Sequence, residues 1–236
     1  MLISSEDIAK GLWRSFFIWS ISTGYWFARY SIEKVKELAD SKEREIRLEN
    51  DFIRSQVNPH FLLNTLTFIY YKLVPTNPDI AKTVAMLSEM MQYSVRNNAE
   101  NAKVSLADDL AQINRYLEIQ QTLNGHQLYL TFKAVFAADE KSIFLPPLIF
   151  LNFVENVFKY GQLKDQDHPA FISIDYDGRI LHFHSENFVS PSNQVRSNFI
   201  GIANTKARLD KHFDQNYLLQ TGLHNGVYEV DLKISL

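Results

Sequence analysis

The period of the apolar residues changes near Gly125, and that change limits the fold more than any other feature of this 236-residue sequence. Before it, Ile80, Val84, Leu87, Met91 and Val95 recur at helical spacing, and so do Leu106, Leu110, Ile113 and Leu117. Such spacing gathers them on one side of an α-helix. After it, residues 128–135, 171–175 and 179–185 read as strands, with hairpin signals at Asp177-Gly178 and Asn225-Gly226. Helical runs over 147–159 and 200–213 are set among these strands. A helical part followed by a mixed sheet with helices on one face is an α+β architecture. The boundary is placed between about residues 98 and 125.

Prolines subdivide the helical part. Val74-Pro75-Thr76-Asn77-Pro78 marks a turn between two helices, which predicts a hairpin; two hairpins from two chains would close a dimeric four-helix bundle. Ser105 is a good N-cap, with Asp108 and Asp109 in the first turn that follows. At Asn58-Pro59 the lost backbone donor starts a fresh helical turn, so His60 is expected to be presented rather than buried. Asn64 lies on the same helical face, while Phe61, Leu62, Thr65, Leu66 and Ile69 are expected to form the packing stripe. A lone histidine beside a kink is more often a satisfied core group than a reactive one, so the neighbouring residues must decide.

The N-terminal stretch has a different texture. Residues 15–28 are uncharged and rich in Phe, Trp, Ile and Tyr, flanked by Arg14 and Arg29. A membrane span needs about 20 apolar residues, so this run is short; it reads as the remainder of a transmembrane helix or as an amphipathic segment. Arg29, Lys34 and Lys36 just after it suit a cytoplasmic flank. In residues 33–51, 12 of 19 side chains are charged with the signs interleaved, which predicts a solvated helix with only a ragged heptad. A net charge of -3 argues against a nucleic-acid surface, and the absence of cysteine excludes disulfides and thiolate metal sites.

The string Gln56-Val57-Asn58-Pro59-His60-Phe61-Leu62-Leu63-Asn64-Thr65-Leu66 resembles the phosphoacceptor motif of the LytS-like sensor histidine kinases at every position. A second stretch, Leu145-Pro146-Pro147 through Val154-Glu155-Asn156 to Lys159-Tyr160-Gly161, resembles the first nucleotide motif of the same family. The element order after Gly125 is similar to the Bergerat (GHKL) ATP-binding sandwich. By that resemblance His60 accepts phosphate, Asn156 binds Mg²⁺ bridging the nucleotide phosphates, and Asn152, Lys159 and Tyr160 line the nucleotide. The adenine box usually reads Asp-X-Gly-X-Gly; here it is Ser185-Glu186-Asn187-Phe188-Val189, with Asn187 at the Asp position. The phosphate-lid motif resembles Phe199-Ile200-Gly201-Ile202-Ala203-Asn204-Thr205-Lys206-Ala207-Arg208-Leu209, so Gly201, Ile202 and Asn204 join the nucleotide set, with Phe199 replacing a glycine.

The resemblance implies an apolar segment at 1–30, a signalling helix at 31–54, a dimerisation and phosphoacceptor region at 55–124 and an ATP-binding domain at 125–236. It implies a homodimeric sensor kinase on the cytoplasmic face of a bacterial plasma membrane, or in the cytoplasm if the apolar run does not span. Such a kinase would use ATP and Mg²⁺ to phosphorylate His60 and pass the phosphoryl group to a response regulator, the LytTR type being one candidate, with Asn64 and Glu155 assisting. Two other readings remain open at this point: a degenerate kinase acting as a dimeric scaffold, and an ATPase on the same fold. The second leaves Asn58-Pro59-His60 without a role.

Overall fold

A computed structural model of the chain describes residues 5–56, 58–97, 99, 102–189 and 200–236. They fall into two compact units, one ending at Asn58 and the other beginning at Pro59. The first is a single helix, α1 (Ser5–Gln56). Its side chains at Trp13, Phe16, Phe17, Trp19, Trp26 and Phe27 are all exposed. Among the described residues no helix is long and apolar enough to cross a membrane.

The second unit starts with the expected hairpin, α2 (Pro59–Leu73) and α3 (Pro78–Arg96). Pro59 is the first residue of α2, where its missing donor leaves nothing unsatisfied. Asn77 caps α3, its side-chain oxygen accepting from Ile80 N at 3.1 Å, and Pro78 follows at the first helical position. The stripe expected on α2 needs correction. Phe61 and Ile69 are exposed, and the half-buried face is Leu62, Leu66, Tyr70 and Leu73 with Leu63 and Thr65 beside it. A hairpin partner covers only one side of a helix, and α2 buries no residue completely.

Strand β1 (Val104–Ser105) then leads into α4 (Leu106–Leu123). Ser105 caps α4 as expected, accepting from Asp108 N at 3.1 Å and donating to the Asp108 carboxylate at 2.7 Å. The remaining elements are β2 (Leu130–Phe136), β3 (Phe144–Leu145), α5 (Leu151–Tyr160), β4 (Ala170–Tyr176), β5 (Ile180–Phe188), α6 (Ile200–Phe213), β6 (Tyr217–His224) and β7 (Val227–Ser235). Strands β1 and β3 form a small antiparallel pair. The main sheet has the order β2-β4-β5-β7-β6, with β2 parallel to β4 and the other neighbours antiparallel. Helix α5 begins at Leu151 and not at Pro147: Leu148 adopts φ 59°, so residues 147–150 form a turn before regular helix can start.

Alternation along β4, β5 and β7 sends Ala170, Ile172, Ile174, Leu181, Phe183, Val230, Leu232 and Ile234 to one face. There they meet Phe150, Phe153, Val154 and Val157 before and within α5, Leu209 of α6, and Leu106, Leu110 and Ile113 of α4. Phe150 stacks on Phe183 at 5.4 Å between ring centroids, and Phe153 tilts onto the same ring at 5.3 Å. Each such aromatic buried in full contributes on the order of 1.5–3 kcal/mol. The opposite face is polar, carrying Asp175, His182, His184, Glu229, Asp231 and Lys233. The architecture is therefore α+β, a helical N-terminal region followed by a two-layer α/β sandwich, as the period change predicts.

Candidate functional site

His60 is exposed on the first turn of α2. Its Nδ1 lies 3.2 Å from the Asn64 amide nitrogen one turn on. A neutral imidazole that accepts from this amide keeps its proton on Nε2; with the amide turned, Nδ1–H donates to the Asn64 oxygen and Nε2 carries the lone pair. In either orientation the tautomer of a neutral His60 ring is tied to the orientation of the Asn64 amide. This pairing follows from the i,i+4 spacing alone.

In the sandwich, the second motif folds as helix α5 and the turn after it. Asn156 is half-buried on α5, and Asn152 donates through Nδ2 to Thr205 Oγ1 of α6 at 3.1 Å. Thr205 is itself buried and donates to Gly201 O at 3.0 Å, so Asn152 and Gly201 are joined through one hydroxyl. Burial holds the Glu155 carboxyl above its ordinary range against the pull of Lys159. The Tyr116 phenol is pushed up to about 12 by burial, helped by the charge of Glu155. Lys159 Nζ lies over the Tyr160 ring, 5.1 Å from its centroid.

Asn187 lies on β5 and is 3 % exposed. Its Nδ2 donates to Phe188 O at 3.2 Å, which leaves the amide oxygen as the acceptor it has to offer. Gly161 connects the two motifs. Its N–H caps α5 by donating to Val157 O at 2.8 Å, and it pairs with Val189 across an antiparallel bridge. A Cβ placed there would fall 2.3 Å from Val157 O and 3.3 Å from Asn187 Nδ2. The Val157 carbonyl leaves room for glycine alone at this turn, which also runs close beside the Asn187 amide. Gln162 N completes the join by donating to Phe188 O at 2.8 Å.

The lid motif is described from Ile200 onward. Gly201 is exposed in the first turn of α6, Ile202 is half-buried and Asn204 is exposed. Phe199 and most of the expected Ser- and Asn-rich loop lie outside the described residues. A cleft of about 530 Å³ opens elsewhere, between α3 and α4, lined by Glu89, Tyr93, Arg96, Asp108, Gln112 and Arg115 among others.

Sequence reasoning missed Asp109. It reads as a first-turn acid facing the helix dipole, yet it is fully buried. Its Oδ1 accepts from Leu148 N at 2.5 Å and, more weakly, from the Tyr93 hydroxyl at 3.4 Å. Arg208 of the lid motif reaches the same turn and donates to Pro147 O at 2.6 Å. The only signal for Asp109 in the sequence was its place among Leu106, Leu110 and Ile113, on the apolar side of α4.

The Histidine kinase family model matches residues 48–128. An uncharacterized sensor-like histidine kinase of Staphylococcus epidermidis is 35% identical over 199 residues, covering 80% of this chain and 35% of that protein. The chain belongs to the sensor histidine kinase family. Sensor protein kinase HptS of Staphylococcus aureus is 34% identical over 130 residues, 53% of this chain and 23% of HptS. The chain thus spans about a third of the first relative and about a quarter of the second. Among solved structures, the Acinetobacter baumannii histidine kinase AdeS aligns over 75% of this chain at 10% identity with a TM-score of 0.41. The catalytic domain of histidine kinase ThkA aligns over 56% at 9% identity with a TM-score of 0.38. Asn156 and Asn187 have the right chemistry for the ATP and Mg²⁺ that histidine kinases use: neutral amide oxygens suit a hard cation and an adenine amino group.

Proposed function

We propose that this chain is the kinase portion of a two-component sensor, moving the γ-phosphoryl group of ATP to His60 and from there to an aspartate of a response regulator. The observation that carries the reading is the pairing of an exposed imidazole, set by Pro59 and partnered by Asn64, with a sandwich in which Gly161 brings the Asn156 helix against Asn187. In the first step the lone pair on one His60 nitrogen forms an N–P bond as the bond from phosphorus to the ADP oxygen breaks. The remaining ring proton stays with Asn64 or leaves to solvent. In the second, a regulator carboxylate takes the phosphoryl group and the imidazole is released. Little covalent assistance is needed, so alignment and charge neutralisation dominate.

Asn187 would accept from the adenine amino group through its oxygen. Asn156 would hold Mg²⁺, which supplies neutralisation of the phosphate charge. Lys159 and the N-terminal turn of α6 at Gly201, Ile202 and Asn204 would face the phosphates. Glu155, kept partly desolvated, is the carboxylate nearest in sequence for proton acceptance. The exposed apolar side of α2 and α3, including Phe61, Phe68, Tyr71 and Leu87, supports a homodimer in which two hairpins cover each other. The exposed aromatic residues of α1 support attachment at the cytoplasmic face of a membrane, with lipid as their cover.

Labelling with Mg·ATP tests the reading. The label is expected to be lost in acid and kept in alkali, as for a phosphoramidate, and to vanish in His60→Gln while ATP binding persists. Mixing His60→Gln with Asn156→Asp restores label if transfer runs between chains and gives none if it runs within one. Label that survives His60→Gln, or that is acid-stable, refutes the reading.

A further inference from the structure

Two acceptor atoms among the described residues are buried without a donor: Asp109 Oδ2 and Gln112 Oε1. Both side chains belong to α4, three residues apart and so on one helical face, and they are 0% and 5% exposed. A bare acceptor in a core is destabilising, and more so if it is charged. A proton on Oδ2 would turn that atom into a donor, and the buried acceptor left for it on the same face of α4 is the Gln112 amide oxygen, while Oδ1 goes on accepting from Leu148 N–H. We propose that Asp109 is held as the neutral acid, its Oδ2 proton given to Gln112 Oε1, and that in this form it is the positioning residue fastening α3 and α4 to the turn that opens α5.

Groups from α3, α4, α6 and the turn before α5 enter the balance at Asp109. Burial pushes its carboxyl up to about 7, opposed by the Leu148 N–H, the Tyr93 hydroxyl on α3 and the Arg208 guanidinium on α6, in that order. Asp108, next to it on α4, pushes in the same direction as burial. Arg208 is engaged with Pro147 O, and its own pKa is lowered by burial, so it steadies the turn more than it neutralises the carboxyl. A Gln112 amide turned to donate to an ionised Asp109 is the competing arrangement, and it has the opposite pH behaviour. The latch stands on burial and hydrogen bonding alone. Its consequence for phosphotransfer rests on the kinase reading: ionisation above neutral pH puts a buried charge under Leu148, three residues before α5, which carries Asn152, Glu155 and Asn156.

The test is equilibrium unfolding of the whole chain, wild type against Asp109→Asn, from about pH 5 to about pH 9. The variant's amide donates where the acid proton does, accepts from Leu148 N–H as before, and cannot ionise. The folded carboxyl titrates above its unfolded value, so the stability it contributes is present at low pH and lost as pH rises through the folded pKa. The folding constant of wild type relative to the variant is therefore expected to fall roughly tenfold per pH unit from about pH 4 to about pH 7, then level off. A ratio that is constant or rises with pH marks an ionised Asp109 and overturns the proposal. If Asp109→Asn does not fold, carboxyl ¹³C titration of wild type decides: one aspartate with a midpoint near 7 supports the latch, and all midpoints near or below about 4 overturn it. In an active kinase, kcat should fall above neutral pH in wild type and not in Asp109→Asn, with KM for ATP equal in both. An inactive chain with the expected stability profile counts against the kinase reading and leaves the latch supported.

Discussion

Gly161→Ala probes the join between α5 and β5. At φ -76° and ψ 151° the backbone of Gly161 suits any residue, so the effect of alanine is steric. The new methyl would meet Val157 O at 2.3 Å, Leu163 Cδ2 at 3.1 Å and Asn187 Nδ2 at 3.3 Å. The leucine can give by a few tenths of an ångström, but the carbonyl is held in the last turn of α5 and accepts the Gly161 N–H. Relief must come from moving residues 161 and 162, which strains the bonds Gly161 N to Val157 O and Gln162 N to Phe188 O. Overpacking of this kind costs about 1–3 kcal/mol, and loss of one of these bonds adds about 0.5–1.5 kcal/mol. A destabilisation of about 2–4 kcal/mol lowers Tm by on the order of 5–15 °C in a chain of this size. Differential scanning calorimetry reads the Tm, and titration with Mg·ATP reads the displacement of Asn187 as weaker binding. Gly201→Ala is the matched control for the Tm alone, since a Cβ there meets nothing within 4 Å and the helix gains about 0.4–1 kcal/mol. A Gly161→Ala protein with the Tm and ATP affinity of wild type would refute the close approach of α5 to Asn187.

Other expected outcomes concern the nucleotide directly. Asn156→Asp, at a half-buried position outside the core, should leave the circular dichroism and Tm close to wild type while abolishing autophosphorylation; unchanged labelling would remove α5 as the nucleotide helix. Asn187→Ala should weaken ATP by about 1–3 kcal/mol by leaving the adenine amino group unpaired, whereas Asn187→Asp should bind at least as well. Equal affinity of all three proteins, measured by calorimetric titration, would place the adenine elsewhere. Asn64→Ala should slow labelling of His60 without changing ATP affinity, because the ring loses the partner that selects its tautomer; a normal labelling rate would show that Asn64 has no such part.

Local signals were enough for many of the elements. Ser105 caps α4 and Asn77 caps α3 because a side-chain oxygen two or three residues from a free N–H is a matter of chain geometry. Pro59 starts α2 and Gly226, at φ 82°, makes the β6–β7 turn for reasons that also lie within a few residues. The His60–Asn64 pair belongs to the same class, being one helical turn. The start of α5 did not, since the left-handed conformation of Leu148 is held by Asp109, 39 residues away in sequence.

By itself, then, the sequence determined the helical and strand periods, the caps and turns, and the motifs that mark this chain as a member of the sensor histidine kinase family, all of which depend on neighbours in the chain. Tertiary structure alone decided which polar groups were taken out of water. Asp109 and Asp108 are adjacent acids in one first turn, yet Asp108 stays in solvent and accepts from the Ser105 hydroxyl, while Asp109 is buried against Leu148, Tyr93 and Arg208. Gly161 reads as one more turn glycine until β5 brings Asn187 within 3.3 Å of where its Cβ would be. Burial is a property of what packs from a distance, and a carboxyl's charge state or a glycine's necessity follows from it and not from the residues on either side.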